Sequence, residues 1–509
     1  MLATGVSRIL GLVRDQLVAY LFGVGMAAEA FVVAFRLPNL FRDLVAEGAV
    51  TSAFVPVLSW YRARRAPEEF WRLSQALLAR LVVAVAAIGL LGALAAPWIV
   101  RATAPGFVAD PEKFALTVRL TRILFPFIIL VGLWAYFMGL LNTLGHFAAP
   151  ALGPAILNVA MIAACFWLVP HAEPRILGLV YGVMIGAVVQ LLVQFPPARR
   201  LGFRWRWHWR HPGSRDVLRL LGPRTLGAAV YQGNVIVHTA LASLAGVVGQ
   251  GAVAALYFSN RLVQLPLALF GTASAQASLP SLSTQAAAGD FEAFRRTLLA
   301  VTRMTLFVML PSAAGLIVLA TPIVRALFER GAFDSSATQM TASAVVGYSL
   351  GLGAYTVSKI ASGAFYALQD TRTPVRLAAE SVLVNIILSV ALMAPLQVFG
   401  LALSAALSNT LNAVRLLQQL QRRLNAPLLA PLAGPFLRIT AAAVLMAGAC
   451  WLLWEFAGLR RAPLWGLAVM IPVGGLAYVL LSLLLRVREC TSAFQWLATL
   501  PLIQNLWSE

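Results

Sequence analysis

The chain has 509 residues, of which 60% are hydrophobic and 11% charged, and its mean hydropathy is +0.82. This composition is typical of a membrane protein with many spans and leaves no soluble domain of useful size. The net charge of +20 does not by itself indicate a nucleic-acid partner. Basic cytoplasmic loops and a shortage of acids give a membrane protein the same charge.

Apolar runs of about 20 residues, long enough to cross a bilayer, follow one another along the chain. The sequence therefore predicts an all-α polytopic membrane protein with fourteen transmembrane helices. Proline removes a backbone hydrogen bond, so breaks are expected at Pro38, Pro56, Pro266 and Pro280. The runs lie near residues 2–24, 30–60, 74–100, 116–142, 149–169, 176–197, 220–246, 251–285, 298–328, 338–368, 374–394, 399–420, 434–456 and 463–486.

The loops between these runs divide into two sets by charge, with 20 Lys and Arg in one set and 8 in the other. Positive residues accumulate on the cytoplasmic side, so the first set and both termini are predicted to be cytoplasmic. The cytoplasmic set comprises residues 61–72, 199–219, 286–298, 369–376, 415–423 and 486–488. The periplasmic set comprises residues 24–30, 101–119, 169–176, 246–252, 321–334, 395–400 and 457–463.

The strongest basic run is residues 199–219, in which arginine alternates with tryptophan. Such a pattern could stack on single-stranded nucleic acid. Beside a membrane helix it more simply lies on anionic headgroups with its indoles at the interface. The interfacial interpretation is favoured, and no nucleic-acid partner is predicted.

An internal repeat is indicated by three pairs of residues that are each separated by 224 positions: Pro56 and Pro280, Gly139 and Gly363, and Pro150 and Pro374. Six helices fit within this offset, so the two copies have the same orientation. The predicted parts are an N-lobe (1–198), a basic linker (199–219), a C-lobe (220–424) and two further helices with a tail (425–509). Paired lobes with a site between them near mid-membrane are typical of an alternating-access transporter.

Residues 7–58 are mostly apolar enough to lie in a membrane, but they carry many charged side chains: Arg8, Arg14, Asp15, Glu29, Arg36, Arg42, Asp43 and Glu47. A charge at the centre of a membrane helix costs roughly 2.5–3.5 kcal/mol on insertion scales. The charges either pair internally and fix helix packing, or they line a wet cavity. With Arg261, Lys359 and Glu380 of the C-lobe, cations outnumber acids by one. A cationic cavity suits an anionic substrate, and arginine matches phosphate geometry.

An enzyme is not predicted, because the histidines lack metal-ligand spacing and no nucleotide-binding loop or nucleophile elbow is present in the sequence. No cofactor is expected. The energy for transport would come from a coupling monovalent cation or from the membrane potential. Glu380 and Asn385 are candidate cation ligands.

Four stretches resemble the MurJ/MviN family of lipid II flippases, within the multidrug/oligosaccharidyl-lipid/polysaccharide exporter superfamily. They are S-R-I-L-G-L-V-R-D (7–15), A-F-R-L-P-N-L-F-R-D-L-V-A-E-G-A (34–49) with S-A-F-V-P-V (52–57), A-P-G-F (104–107) and F-Y-A-L-Q-D-T-R-T-P (365–374). The resemblance covers essentially the whole chain. It implies movement of undecaprenyl-diphosphate-linked disaccharide-pentapeptide from the cytoplasmic to the periplasmic leaflet of the bacterial inner membrane.

The resemblance also implies residue roles. The cavity arginines that would hold the diphosphate are Arg8, Arg14, Arg42 and Arg261, and the supporting or gating residues are Asp15, Glu29, Arg36, Glu47 and Lys359. The last two helices would form a groove for the polyprenyl tail. The expected partners are lipid II, membrane lipids and cell-wall synthesis proteins, and the protein is expected to act as a monomer.

This sequence departs from the family pattern at three places. Glu29 stands where the family usually has aspartate, and Asp43 follows Arg42 where a second basic residue is common. Only six residues precede Ser7, which suggests a start further upstream. The alternatives are a flippase for another polyprenyl-linked glycan, a gradient-driven multidrug exporter, or a scaffold for cell-wall synthases. The cationic charge count disfavours export of cationic drugs.

Overall fold

The computed structural model describes residues 2–43, 54–456 and 463–491. The regular elements in these ranges are all helices, which confirms the predicted all-α class. The chain forms two compact units. Unit 1 comprises Met1–Ala254 with Arg330–Asp334, and unit 2 comprises Ala255–Glu329 with Ser335–Glu509. The lobe, linker and tail boundaries expected from the sequence stay a prediction.

In its described residues, unit 1 has twelve helices and two short 3₁₀ turns, Pro105–Ala109 and Val169–His171. One core cluster lies where α3, α4 and α7 meet, around Leu58, Leu73 and Phe137. The helices are α1 (Leu2–Phe22), α2 (Met26–Asp43), α3 (Val55–Arg64), α4 (Pro67–Leu94), α5 (Ala96–Thr103), α6 (Pro111–Leu124), α7 (Phe127–Thr143), α8 (Ala148–Trp167), α9 (Ile176–Leu192), α10 (Phe195–Arg200), α11 (Ser214–Ala242) and α12 (Ala245–Val248).

The part of unit 2 that the structure describes contains nine helices, of which the first begins in the last residues of unit 1. One π-helical turn, Leu267–Gly271, separates the first two of them. The helices are α13 (Ala252–Pro266), α14 (Thr272–Ala287), α15 (Phe291–Val318), α16 (Ala320–Phe328), α17 (Ser335–Ser349), α18 (Leu352–Ala367), α19 (Arg372–Leu424), α20 (Leu429–Phe456) and α21 (Pro463–Leu484).

Within the described ranges, nine helical stretches are long and apolar enough to cross a membrane. They contain ten of the fourteen predicted runs, because α19 spans two of them and bends at Gln397, whose φ is 50°. The other predicted runs fall on the charged helices α1, α2 and α11 and on the pair α17 and α18. The structure is therefore that of a multi-pass membrane protein.

The predicted proline break holds at Pro266, which ends α13 at the π-helical turn. Pro56 lies in the first turn of α3, next to residues outside the described ranges, so a break there stays a prediction. The prediction is wrong for Pro38 and Pro280, which lie inside α2 and α14. A proline removes a single helical hydrogen bond, and neighbouring groups in a membrane helix can satisfy the freed carbonyl.

The helix boundaries in the two halves of the chain follow the same spacing. Helices α4 and α15 each have 28 residues, and their first residues are 224 positions apart. The same offset separates the first residues of α5 and α16, of α6 and α17, and of α8 and α19. Equal spacing of whole helices extends the offset seen for single prolines and glycines in the sequence.

Helix α21 is joined to α15 by a hydrogen bond to a carbonyl group that a proline leaves without its usual helical donor. Pro311 has no N–H, so the carbonyl of Phe307, one turn earlier, lacks its helical donor. The buried Tyr478 hydroxyl donates to that carbonyl at 2.7 Å, and the two rings are 5.1 Å apart. This bond fixes where α21 lies along α15.

Replacing Tyr478 with Phe should destabilise this unit. The Phe307 carbonyl would be left buried without a donor, at a cost of about 1–3 kcal/mol. Thermal unfolding of the purified protein in detergent should show a lower midpoint. Tyr181→Phe is the matched control because that side chain is exposed. Equal midpoints for the two variants would contradict the assignment.

Candidate functional site

The first charged group of unit 1 joins α1 to α8. Both the Nη2 and the Nε of Arg14 donate to Asp15 Oδ1, at 2.7 and 3.0 Å. Arg14 Nη1 donates to Asn158 Oδ1 at 2.9 Å, and the Asn158 amide donates to the Ser7 carbonyl, also at 2.9 Å. Arg14 is 9% exposed and Asp15 3%. The carboxylate and the amide therefore fix the guanidinium in one orientation.

This geometry bears on the two hypotheses for the charged residues, which were internal pairing and the lining of a wet cavity. The Arg14–Asp15 pair forms as the internal-pairing hypothesis expected, and it holds α1 against α8 through Asn158. A guanidinium has five donors in a planar fork, a shape that also matches phosphate geometry. Gly11 of α1 lies close to Asn158 of α8. A Cβ there would lie 3.5 Å from the Asn158 amide, which is ordinary contact, so alanine would also fit.

The second charged group surrounds Glu29, which is 3% exposed on α2. Glu29 Oε2 forms an ion pair with Lys113 on α6, and Glu29 Oε1 accepts from the Val253 backbone N–H at 3.0 Å. Val253 lies in the first turn of α13, where the helix dipole favours a carboxylate. Lys113 Nζ also lies 4.1 Å from the centre of the Phe107 ring. We call these four residues the Glu29 cluster.

Tight backbone contacts surround the Glu29 cluster. A Cβ at Gly106 would lie 2.0 Å from the Ser243 carbonyl oxygen, so only glycine fits there. The Gly106 N–H donates to Ser243 Oγ at 3.0 Å. Ala332 donates to the Tyr20 carbonyl at 2.8 Å, and Gly331 has a φ of 62° beside it. These contacts join two of the loops predicted to be periplasmic, 101–119 and 321–334, to the ends of α11 and α1 within unit 1.

The remaining predicted arginines of unit 1 have different surroundings. Arg36 donates to Thr239 Oγ1 on α11, and Thr239 donates in turn to the Val235 carbonyl at 2.7 Å. Arg42 is partly buried in the last turn of α2, and Arg8 is exposed on α1. Arg36 therefore joins α2 to α11. Glu47 lies outside the described residues, so its predicted role stays a prediction.

The predicted cations of unit 2 are held by neutral groups. Arg261 Nη2 donates to the Tyr257 hydroxyl at 3.2 Å, with its guanidinium 4.9 Å from the Tyr257 ring centre. Lys359 Nζ donates to Thr272 Oγ1 at 3.0 Å. Thr272 begins α14, directly after the π-helical turn. Such turns often occur at functional sites.

The two candidate cation ligands of α19 differ in their surroundings. Glu380 forms ion pairs with Arg376, at 3.8 Å, and with Arg415. It is therefore neutralised by arginines. Asn385 is buried beside Ser389, whose hydroxyl lies 2.6 Å from the Ser404 hydroxyl. Within the described ranges, no group of three or more His, Cys, Asp or Glu side chains is arranged to hold a metal.

The motif F-Y-A-L-Q-D-T-R-T-P places a capping aspartate before α19. Asp370 Oδ1 accepts from the backbone N–H groups of Arg372 and Thr373 at 3.1 and 3.0 Å, and its other oxygen pairs with Arg423. Partial burial raises the pKa of Asp370, but the hydrogen bonds from Thr373 and the Arg423 charge together bring that pKa below its usual value. Asp370 thus has a structural role, since it fixes the start of α19.

Sequence reasoning missed the residues that hold the predicted ones. Lys113, Asn158 and Thr239 lie on helices remote in sequence from their partners. Only Lys113 gave a signal, because it is one of two lysines in the chain and follows the A-P-G-F motif closely. Asn158 and Thr239 are ordinary residues in apolar runs, and nothing in the sequence indicates that they meet arginines.

The chain is similar to known proteins in sequence and in fold. A family model described as lipid II flippase MurJ matches residues 18–465. The chain is 35% identical over 479 residues to the lipid II flippase MurJ of Burkholderia cenocepacia, with 92% of each chain covered. A solved structure of lipid II flippase MurJ in an inward closed conformation has a TM-score of 0.81 at 28% identity, covering 95% of this chain and 98% of that one. An inward-facing MATE family multidrug resistance transporter of the MOP superfamily has a TM-score of 0.71 at 14% identity, covering 82% of this chain and 94% of that one, and shares the fold alone.

The buried Glu29–Lys113 pair should respond strongly to the loss of one partner. Glu29→Gln leaves Lys113 charged and buried, and Lys113→Met leaves Glu29 charged and buried. Each substitution should therefore lower the free energy of unfolding by about 3–5 kcal/mol. The double variant should recover part of that loss, because no unpaired charge remains. Thermal unfolding midpoints of the four proteins measure this coupling.

Glu329→Gln provides the matched control for this cycle. It breaks the Arg325–Glu329 ion pair at the surface. The two charged groups are 3.1 Å apart and lie four residues apart in sequence, and such a pair should contribute at most about 1 kcal/mol to the free energy of unfolding. Strictly additive effects of the Glu29 and Lys113 substitutions would contradict a direct buried pair.

Proposed function

We propose, because the chain belongs to the lipid II flippase MurJ family, that it moves lipid II from the cytoplasmic to the periplasmic leaflet by alternating access. The observation that carries the proposal is the match in sequence and in fold over more than nine-tenths of the chain. The family is one of transporters, and lipid II is the substrate that its relatives' names specify. A multidrug exporter is less well supported, because the likeness to that class is one of fold alone.

The diphosphate of lipid II is the group that the cationic residues would recognise. Arg14 supports this role, since Asp15 and Asn158 hold its guanidinium in one orientation. Arg42 and Arg8 on unit 1, and Arg261 on unit 2, complete the proposed set. Charge-assisted hydrogen bonds to phosphate are about twice as strong as neutral ones, and arginine can make two in parallel.

The acidic residues would control access to the substrate site and the charge of that site, and they would not take part in a chemical reaction. Asp15 neutralises part of the Arg14 charge and keeps the empty site from being strongly cationic. Glu29 holds the first turn of α13 to α2 and α6, so separation of these loops must break a buried ion pair or a helix cap. Arg36 and Lys359 would act at helix contacts, and Glu47 beside the site. No catalytic group or cofactor is needed.

The energy source would be the membrane potential or a coupling monovalent cation. A net cationic site is drawn toward the negative cytoplasmic side, and one charge crossing 100 mV is worth roughly 2.3 kcal/mol. The potential would thus favour return of the empty site. Asn385 and its serine neighbours are the group on α19 that could bind a cation.

The proposed topology has fourteen helices, arranged as two six-helix lobes of a parallel repeat with two further helices, and both termini in the cytoplasm. The shared offset of 224 residues between whole helices supports the repeat. Contacts among loops support the sidedness. Loops of the sparsely charged set meet at the Glu29 cluster, whereas residues 61–72 and 199–219 of the basic set meet each other through Glu69 and His211. The protein would act as a monomer in the inner membrane.

Alanine at Arg14, Arg42 or Arg261 should abolish complementation of a flippase-depleted bacterial strain. Loss of a charged hydrogen-bond donor to a diphosphate costs about 1.5–3 kcal/mol, or about a tenfold to hundredfold loss of binding. Growth rescue is the readout, and immunoblots of the membrane fraction check insertion.

Arg325→Ala is the control for these variants, because Arg325 is a half-exposed arginine paired with Glu329 outside the proposed site. It should rescue growth fully. If Arg14→Ala, Arg42→Ala and Arg261→Ala all rescued growth as well as Arg325→Ala, the diphosphate assignment would be wrong.

Cysteine labelling should verify the proposed sidedness. In a variant with Cys165, Cys450 and Cys490 replaced by alanine, a cysteine at the exposed Glu112 should react with an impermeant maleimide in intact cells. A cysteine at the exposed Ala288 should react only after lysis. The reverse pattern would place the Glu29 cluster on the cytoplasmic side.

A further inference from the structure

A segment without regular secondary structure, residues 203–211, lies along the first part of α4 in unit 1 and is anchored there. We call it the tryptophan segment. Its first residue, Phe203, is buried against Phe137 and Trp71, with ring centres 5.1 and 6.4 Å away. At its far end, His211 Nε2 lies 3.0 Å from Glu69 Oε2, and the Tyr61 ring packs edge-on against the imidazole. Both ends are therefore fixed.

Two further bonds hold the tryptophan segment through its backbone. Gln75 Nε2 donates to the Arg204 carbonyl at 2.9 Å, and Arg80 Nε donates to the Trp209 carbonyl at 3.1 Å. Both donors belong to α4. Because α4 holds the segment by carbonyl groups, the side chains between these two points are left available for another partner.

Those side chains are of two kinds. Trp205, Trp207 and Trp209 are 54%, 55% and 47% exposed, which is unusual for the largest apolar side chain. Arg204, Arg206 and Arg210 are also exposed. Residues 199–219 contain seven arginines and a single acid, Asp216. The segment thus presents apolar rings and positive charge together on a preformed backbone.

We propose that the tryptophan segment is a docking surface for anionic phospholipid headgroups of the cytoplasmic leaflet. Indole rings concentrate at the boundary between headgroups and acyl chains, and basic groups are attracted to an anionic surface. The anchors to α4 already order the backbone, so little conformational entropy is lost on docking. The surface is independent of the transported substrate, and it would fix the height of α4 and the start of α11 relative to the membrane surface.

Single-stranded nucleic acid fits this surface less well. Successive bases need separate aromatic faces. The Trp207 and Trp209 rings lie 6.4 Å apart at 18°, so they stack on each other. Two rings paired in this way are less suited to serve as separate platforms for successive bases, whereas lipid contact requires only that the rings be accessible from one side.

The test uses the full chain in lipid nanodiscs. An environment-sensitive dye is attached to Trp207→Cys in the variant whose three native cysteines are replaced. Its emission should shift to shorter wavelength as phosphatidylglycerol replaces phosphatidylcholine, and high salt should reverse the shift. In R204Q/R206Q/R210Q, the phosphatidylglycerol fraction needed for half the shift should rise several-fold or the shift should disappear.

The matched control is R199Q/R200Q/R215Q, which removes the same charge from exposed flanking positions and should retain most of the shift. Equal loss in both variants would show that only total charge matters and would overturn the proposal. So would emission that does not depend on phosphatidylglycerol or salt in the protein with all six arginines. A stronger response to a single-stranded oligonucleotide in phosphatidylcholine discs would show a nucleic-acid surface instead.

Discussion

The cost of burying charge in an apolar environment is the constraint on which the rest of this structure depends. An isolated ionised group would be neutralised or solvated, so each buried charge needs a partner that the fold supplies. The chain meets this need twice in unit 1. Asp15 and Asn158 satisfy Arg14, and Lys113 with the α13 N-terminus satisfies Glu29. Each solution joins helices that are far apart in sequence, so the charges also decide which helices meet.

The Glu29 cluster and the Arg14 group differ in how the charged side chain is held. The Glu29 cluster is closed, since a carboxylate, an ammonium and a helix N-terminus satisfy one another. Such a group suits a contact that must form and break as a unit. Arg14 is oriented by Asp15 and Asn158, and Arg261 donates to the Tyr257 hydroxyl. Oriented guanidinium groups suit recognition of a diphosphate, which agrees with the family to which the chain belongs.

The sequence predicted the helical class and most spans, because hydropathy is a local property, whereas the roles of the charged set stay a prediction. It could not predict partners. Asn158 gives no signal within an apolar run, and the Arg36–Thr239 contact depends on how α2 meets α11. Pro38 and Pro280 were expected to break helices but do not. Whether a proline breaks a helix depends on whether surrounding groups satisfy the carbonyl that it leaves without a donor. Pro311 shows the same principle, because Tyr478 supplies the missing donor from another helix.

The central claim is that this chain carries lipid II across the membrane with Arg14 at the diphosphate. The most direct measurement is the exposure of lipid II to an external probe in cells depleted of their own flippase and supplied with this chain. The account predicts that lipid II becomes accessible outside when the chain is present and stays protected when it carries Arg14→Ala at equal membrane levels. Lipid II that stays protected with the unmutated chain inserted in the membrane would contradict it.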